Sequence, residues 1–198
     1  DGTAEGGLHG SGFFIGPRLI MTAAHVVDGQ SELIVVPGKN GGGTASANEP
    51  FGRFKVTQFR KHDSYGTNGS DYDMALIFVP AANAVGSGQY FDLVEELNQS
   101  RPEGVVVSGY AARWYANDVI EHFVNDTIDP NRQHMMGGYI RELPTDHTFT
   151  YNLQTLAGTS GSPVYWIEDG ALGPQAHLVG VHVAAFDEHT NRGCRVTG

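Results

Sequence analysis

The chain has 198 residues, 27 of them Gly and 9 Pro, with 10% aromatic residues, so it is long enough for a sizeable core and rich enough in turn formers to point to short strands. A formal net charge of -10 argues against nucleic acid or an anionic membrane as partner, and no apolar run is long enough to cross a bilayer. The single cysteine, Cys194, excludes an internal disulfide, which leaves packing to hold the fold.

Residues 1–10 are polar and glycine-rich, with no signal peptide at the start. Residues 11–21 read as a hairpin turning at Gly16-Pro17-Arg18, and residues 23–27 as one short helical turn carrying His25. Strands are predicted over 32–36 and 53–59, the second from the alternation of Phe54 and Val56, with a Gly/Asn/Ala-rich loop between them. A polar loop over 62–70 leads into an apolar strand, 74–79, which Pro80 ends. Residues 81–102 lack strong alternation, contain a short helical stretch starting at Asp92, and read as the crossing between two halves, 1–90 and 91–198. Further strands are predicted over 105–110, 119–128, 135–142, 148–153, 163–167, 177–185 and 193–197. Short strands at this spacing fit an all-β barrel or sandwich, and no internal repeat is visible.

The stretch with most chemical content is Thr155-Leu156-Ala157-Gly158-Thr159-Ser160-Gly161-Ser162-Pro163. A serine between glycines describes a tight turn that presents one hydroxyl. Gly158 lets the chain bend without a Cβ, so the N–H groups of Gly158 and Ser160 can be aimed together at a developing oxyanion. A serine hydroxyl attacks poorly at neutral pH unless a base removes its proton, so partners are needed elsewhere. Met21-Thr22-Ala23-Ala24-His25 supplies a histidine in an apolar, small-residue segment. Asp71-Tyr72-Asp73-Met74-Ala75-Leu76 supplies two carboxylates at the mouth of an apolar strand, and being two residues apart they share a strand face.

These three segments, in the order His, Asp, Ser, resemble the chymotrypsin-like serine endopeptidases through T-A-A-H, D-x-A-L and G-x-S-G-S-P. The resemblance spans most of the chain and implies two six-stranded antiparallel β-barrels of the trypsin-like type, with the active site in the cleft between them. It assigns the first barrel to residues 1–90 and the second to 91–198. It implies Ser160 as nucleophile, His25 as base, and Asp73, at the acidic position of D-x-A-L, as the residue that orients His25. Asp71 is left as a loop acid. Within the group the chain is most similar to the V8-type glutamyl endopeptidases, which carry a threonine five residues before the serine and then V-G-I-H; the matching residues here are Thr155 and Val179-Gly180-Val181-His182. A hydroxyl and an imidazole are suited to a carboxylate without carrying permanent charge, so the resemblance implies cleavage after Glu, with Asp second.

Some positions depart from the pattern. Thr159 replaces the aspartate that trypsin-type enzymes use to hold a new N-terminus, and Val183-Ala184-Ala185-Phe186 stands where relatives have an aromatic residue and glycines. In the V8-type enzymes the N-terminal amine helps bind the substrate carboxylate, and no residue here is assigned that role. Two alternatives follow from these departures: a catalytically silent binding module on the same fold, or an endopeptidase preferring a small or apolar residue. His62, Asp63, Asp71 and Asp73 lack a metal-ligand spacing, so no metal and no cofactor is expected. His122, His134, His147, His177 and His189 read as surface or packing residues, and Cys194 as a buried strand thiol despite Arg192 and Arg195 beside it. The expected partner is a protein or peptide substrate of a monomeric enzyme, and the family's habit implies secretion.

Overall fold

A computed structural model describes residues 10–42, 46–67, 71–86, 90, 91, 93, 104–111, 131–153, 155–170, 173–187 and 190–196. The predicted strand 119–128 and the short helical stretch from Asp92 lie outside these residues, apart from Leu93.

The first half contains β1 (Phe13–Gly16), β2 (Leu19–Thr22), the single helical turn α1 (Ala24–Val27), β3 (Leu33–Val35), β4 (Phe54–Val56), β5 (Phe59–Lys61) and β6 (Ala75–Phe78). They form a four-stranded sheet in the order β1-β2-β6-β5 and a two-stranded ladder, β3-β4. The two share one core: Ile20, Ala24, Val27, Phe54, Val56, Ala75, Ile77 and Val79 are buried together, with Leu33, Val35 and Phe59 packed against them. The strand predicted over 53–59 is therefore two strands in different ladders. The alternation of buried Phe54 and Val56 breaks at Thr57 and Gln58, both exposed, and there the chain changes partner from β3 to β6.

The second half contains β7 (Val105–Tyr110), β8 (Gln133–Gly138), β9 (Ile140–Thr145), β10 (Thr148–Tyr151), β11 (Pro163–Gly170), β12 (Gly173–Ala185) and β13 (Asn191–Arg195). Their sheet order is β8-β7-β11-β12-β13-β10-β9. The two edge strands are consecutive in the chain, separated by Tyr139 alone. One bent strand thus pairs with β7 through its first half and with β10 through its second, bringing the two ends of the order together as a barrel requires. The strand predicted over 135–142 is this bent element. Gly138 permits the bend, because a Cβ there would lie 2.5 Å from the Asn152 carbonyl oxygen. The β11–β12 hairpin runs further than predicted, out to the Gly170–Gly173 pair, because its outer residues are polar and carry no apolar signal.

A core of Val105, Val107, Phe149, Tyr151, Leu153, Val164 and Val179 fills the second half. A third cluster, Phe13, Met21, Ala23, Leu178 and Val181, joins strands of both halves. Burial of side chains such as Phe13, Met21 and Leu178 stabilises by about 1.5–3 kcal/mol each, enough to fix how the two β-systems meet. That junction is where the motif residues come together.

Candidate active site

The β2–β6 register explains the first convergence. Thr22 pairs with Ala75, so the chain that continues from Thr22 into α1 and the chain that arrives at Ala75 leave the ladder at the same end. His25 lies three residues beyond one strand and Asp73 two residues before the other. The His25 backbone N–H donates to Asp73 Oδ1 at 2.9 Å, and its Nδ1 lies 2.7 Å from Asp73 Oδ2. Asp73 is buried, whereas the His25 side chain is 39% exposed. A buried carboxylate that receives one backbone and one imidazole hydrogen fixes the ring's orientation and its tautomer: Nδ1 carries the hydrogen and Nε2 is free to accept one. Asp71 makes neither contact.

The serine turn is held against this pair from the other side. Gly161 N–H donates to the His182 carbonyl at 2.8 Å, and His182 N–H to the Ser162 carbonyl at 2.8 Å, which seats the turn on β12. Gly161, at φ +87°, passes so close to β2 that a Cβ would lie 2.1 Å from the Ser11 carbonyl oxygen and 2.2 Å from Thr22 Oγ1. The turn therefore abuts the strand end from which His25 emerges. Ser160 Oγ donates to the Val183 carbonyl oxygen at 3.1 Å rather than to the imidazole. Among the described residues no acceptor takes the N–H of Gly158 or of Ser160, and Gly158 has φ +94°. These are the two donors that the sequence pointed to.

Ser11 was not singled out by the sequence, yet it anchors this turn. Its N–H donates to the Ser160 carbonyl (2.8 Å), its hydroxyl to the Gly158 carbonyl (2.9 Å), and its Oγ accepts from Tyr110 N–H (2.8 Å). Thr159, at the altered position, is fully buried and bonded within the turn to the Leu156 carbonyl.

His182 is bonded to the turn through its backbone, and Thr155 is bonded to Asn191 on β13. His182 is buried on β12 opposite Gly193, and its Nδ1 is hydrogen-bonded to the hydroxyl of Tyr151. Burial, with the nearby His25 adding to it, pushes the His182 imidazole down to about 3, so it is neutral at physiological pH. Thr155 Oγ1 donates to Asn191 Oδ1 at 2.5 Å, and Asn191 Nδ2 donates to the Leu153 carbonyl. Tyr151 and Asn191 were also missed: a tyrosine and an asparagine on strands carry no signal until the strands pair. Ala184 and Ala185 at the end of β12 are exposed.

The remaining residues are not gathered into a site. His62 stacks on Tyr72, Asp63 pairs with Arg60, and among the described residues there is no group of three or more His, Cys, Asp or Glu placed to hold a metal. His147 tilts against Tyr72 and His177 stacks on Trp166, both packing roles; His122 and His189 lie outside the described residues. Cys194 is fully buried on β13 with its sulfur against the Asp73 backbone, and burial pushes its thiol up to about 12, outweighing Arg192.

The model of the trypsin-like peptidase domain matches residues 10–173, a span that contains His25, Asp73 and Ser160. The chain belongs to the trypsin-like peptidase family. As a trypsin-like peptidase it is a serine protease, its substrates are proteins or peptides, and its all-β architecture is the family's two-barrel fold. No curated protein matches it in sequence. Among solved structures it is similar to a Glu endopeptidase in complex with MPD, at 23% identity and TM-score 0.69 over 98% of this chain and 82% of that one. It is also similar to neuropsin, a serine protease expressed in the limbic system of mouse brain, at 16% identity and TM-score 0.63, and to a thermostable serine protease from an extremophilic microorganism, at 13% and 0.66. Each of these two matches covers 93% of this chain and 82% of the other. No helix among the described residues is long and apolar enough to cross a membrane.

Proposed function

We propose that this serine protease is an endopeptidase working through an acyl-enzyme, with Ser160 as nucleophile, His25 as base and then acid, and Asp73 as the residue that orients His25. The observation that carries the reading is the doubly bonded Asp73 carboxylate, which leaves His25 Nε2 as the acceptor. His25 Nε2 takes the Ser160 hydrogen as Oγ bonds to the substrate carbonyl carbon. The carbonyl oxygen becomes an oxyanion and receives the N–H groups of Gly158 and Ser160. Asp73 stabilises the imidazolium, which then protonates the leaving amine nitrogen as the C–N bond breaks. Water repeats the sequence on the acyl-serine and releases the acid. The first half, 1–90, thus supplies base and carboxylate, and the second, 91–198, supplies nucleophile, oxyanion donors and pocket.

The residue before the scissile bond is Glu, with Asp second, in a pocket read by Thr155 and His182. Supporting this are the neutral, buried His182 beside the serine turn, the polar and uncharged Thr155–Asn191 pair, and the structural likeness to a Glu endopeptidase. Ser160→Ala should keep the fold and lose about 10³-fold to 10⁶-fold in turnover. Cleavage by that variant near the wild-type rate would end the proposal. A positional peptide library read by mass spectrometry tests the pocket separately; a preference for small or apolar residues would reject Thr155 and His182 as its readers.

A further inference from the structure

Asn191 is 5% exposed, and both ends of its amide are engaged. The Leu153 carbonyl can only accept, so the NH₂ end must face it. Oδ1 is thereby turned toward Thr155, and since Oδ1 can only accept, the hydrogen between them is the threonine's. A threonine hydroxyl has one hydrogen. With it held by Asn191, Thr155 has only lone pairs left to offer a ligand.

His182 has the opposite polarity. The Tyr151 hydroxyl is fully buried, and His182 Nδ1 is its one partner among the described residues. The phenol hydrogen is satisfied only by donating to Nδ1, because the reverse arrangement would orphan it in the core. The neutral ring therefore carries its hydrogen on Nε2. Cross-strand pairing puts both devices on one face of β13: Asn191 sits opposite Tyr151, and Gly193, two residues on, sits opposite His182.

We infer that Asn191 is a specificity-determining residue that fixes Thr155 as an acceptor while His182 supplies the donor, so that the pocket admits glutamine before the scissile bond alongside the glutamate of the proposed reading. This rests on the proposed role of Thr155 and His182 as the pocket's readers. A carboxamide matches the pair directly, its oxygen on His182 Nε2–H and its NH₂ on Thr155. A carboxylate has no hydrogen to give. It must take up a proton, or draw the threonine hydrogen away from Asn191 and leave two oxygens 2.5 Å apart without one. An apolar side chain such as leucine completes neither bond and leaves both pocket groups unpaired.

The test compares kcat/KM for matched peptides carrying Gln, Glu, Leu or Lys before the cleaved bond, with the wild-type chain and Thr155→Val. Fluorophosphonate titration counts intact active sites in each. Gln within tenfold of Glu, both well above Leu and Lys, is the expected wild-type result. Thr155→Val should lose about tenfold on Gln and less on Glu. A wild-type preference for Glu over Gln beyond tenfold overturns the role of Asn191 while leaving the glutamyl pocket standing, and so does an equal or larger loss on Glu in the variant. Leu cut as well as both overturns the pocket reading itself. If the variant does not fold, the wild-type ratio decides alone.

Discussion

Asp73→Asn perturbs the proposed mechanism at one atom while keeping the shape of the site. The aspartate accepts the His25 backbone N–H at 2.9 Å and lies 2.7 Å from Nδ1. An asparagine must turn its carbonyl oxygen to the backbone N–H, which can only donate, so its NH₂ faces Nδ1. That nitrogen then has to accept, and the ring hydrogen moves to Nε2. An Nε2 that already holds a hydrogen cannot take one from Ser160. The loss expected for a wrongly protonated imidazole is about 10⁴-fold in kcat, or about 5 kcal/mol of transition-state stabilisation. Stability changes far less, because both hydrogen bonds survive as neutral ones at a cost of about 1 kcal/mol, a shift of roughly 2–4 °C in Tm for a chain this size. Peptide kcat, the rate of fluorophosphonate labelling and thermal unfolding, measured on the same preparation, separate the two effects. A folded variant within tenfold of wild-type kcat would refute the tautomer argument.

Three further outcomes are expected. Gly161→Ala sets a Cβ against Ser11 and Thr22 at a positive φ, and should cost about 3 kcal/mol or more in thermal unfolding; an unchanged Tm would mean that the turn does not abut β2 as described. His182, at about 3 when folded, lies below its unfolded value, so the unfolded chain binds one more proton between roughly pH 3 and 6.5. Stability then rises with pH across that window, and the contribution is complete above it and lost as pH falls through it, on the order of 5 kcal/mol. Urea unfolding of His182→Gln should show a shallower pH slope there than wild type, and equal slopes would contradict the burial argument. Cys194, with its thiol at about 12, should resist alkylation at pH 8 in the native chain and react freely once unfolded; prompt native labelling would place it elsewhere.

Most of the strands and all three motif segments were legible because they depend on local chemistry. Alternation marks which face of a strand is buried, Gly16-Pro17-Arg18 marks a turn, and a serine among glycines marks a tight turn. Pairing partners were not legible: the change of ladder at Thr57 and Gln58 and the bend at Tyr139 follow from which strands lie nearby, and alternation is silent on that.

The same division runs through the site. Residue types and their order along the chain named the side chains proposed as base, carboxylate and nucleophile. Only the tertiary structure decided where each hydrogen sits. Whether Thr155 gives its proton to Asn191, whether Tyr151 points its own at His182, and how Ser11 holds the Ser160 turn depend on groups 36, 31 and 149 positions apart being brought within hydrogen-bonding distance by strand register. A hydrogen bond's direction is settled by what else its two partners already hold, and that is a property of the folded neighbourhood rather than of any segment.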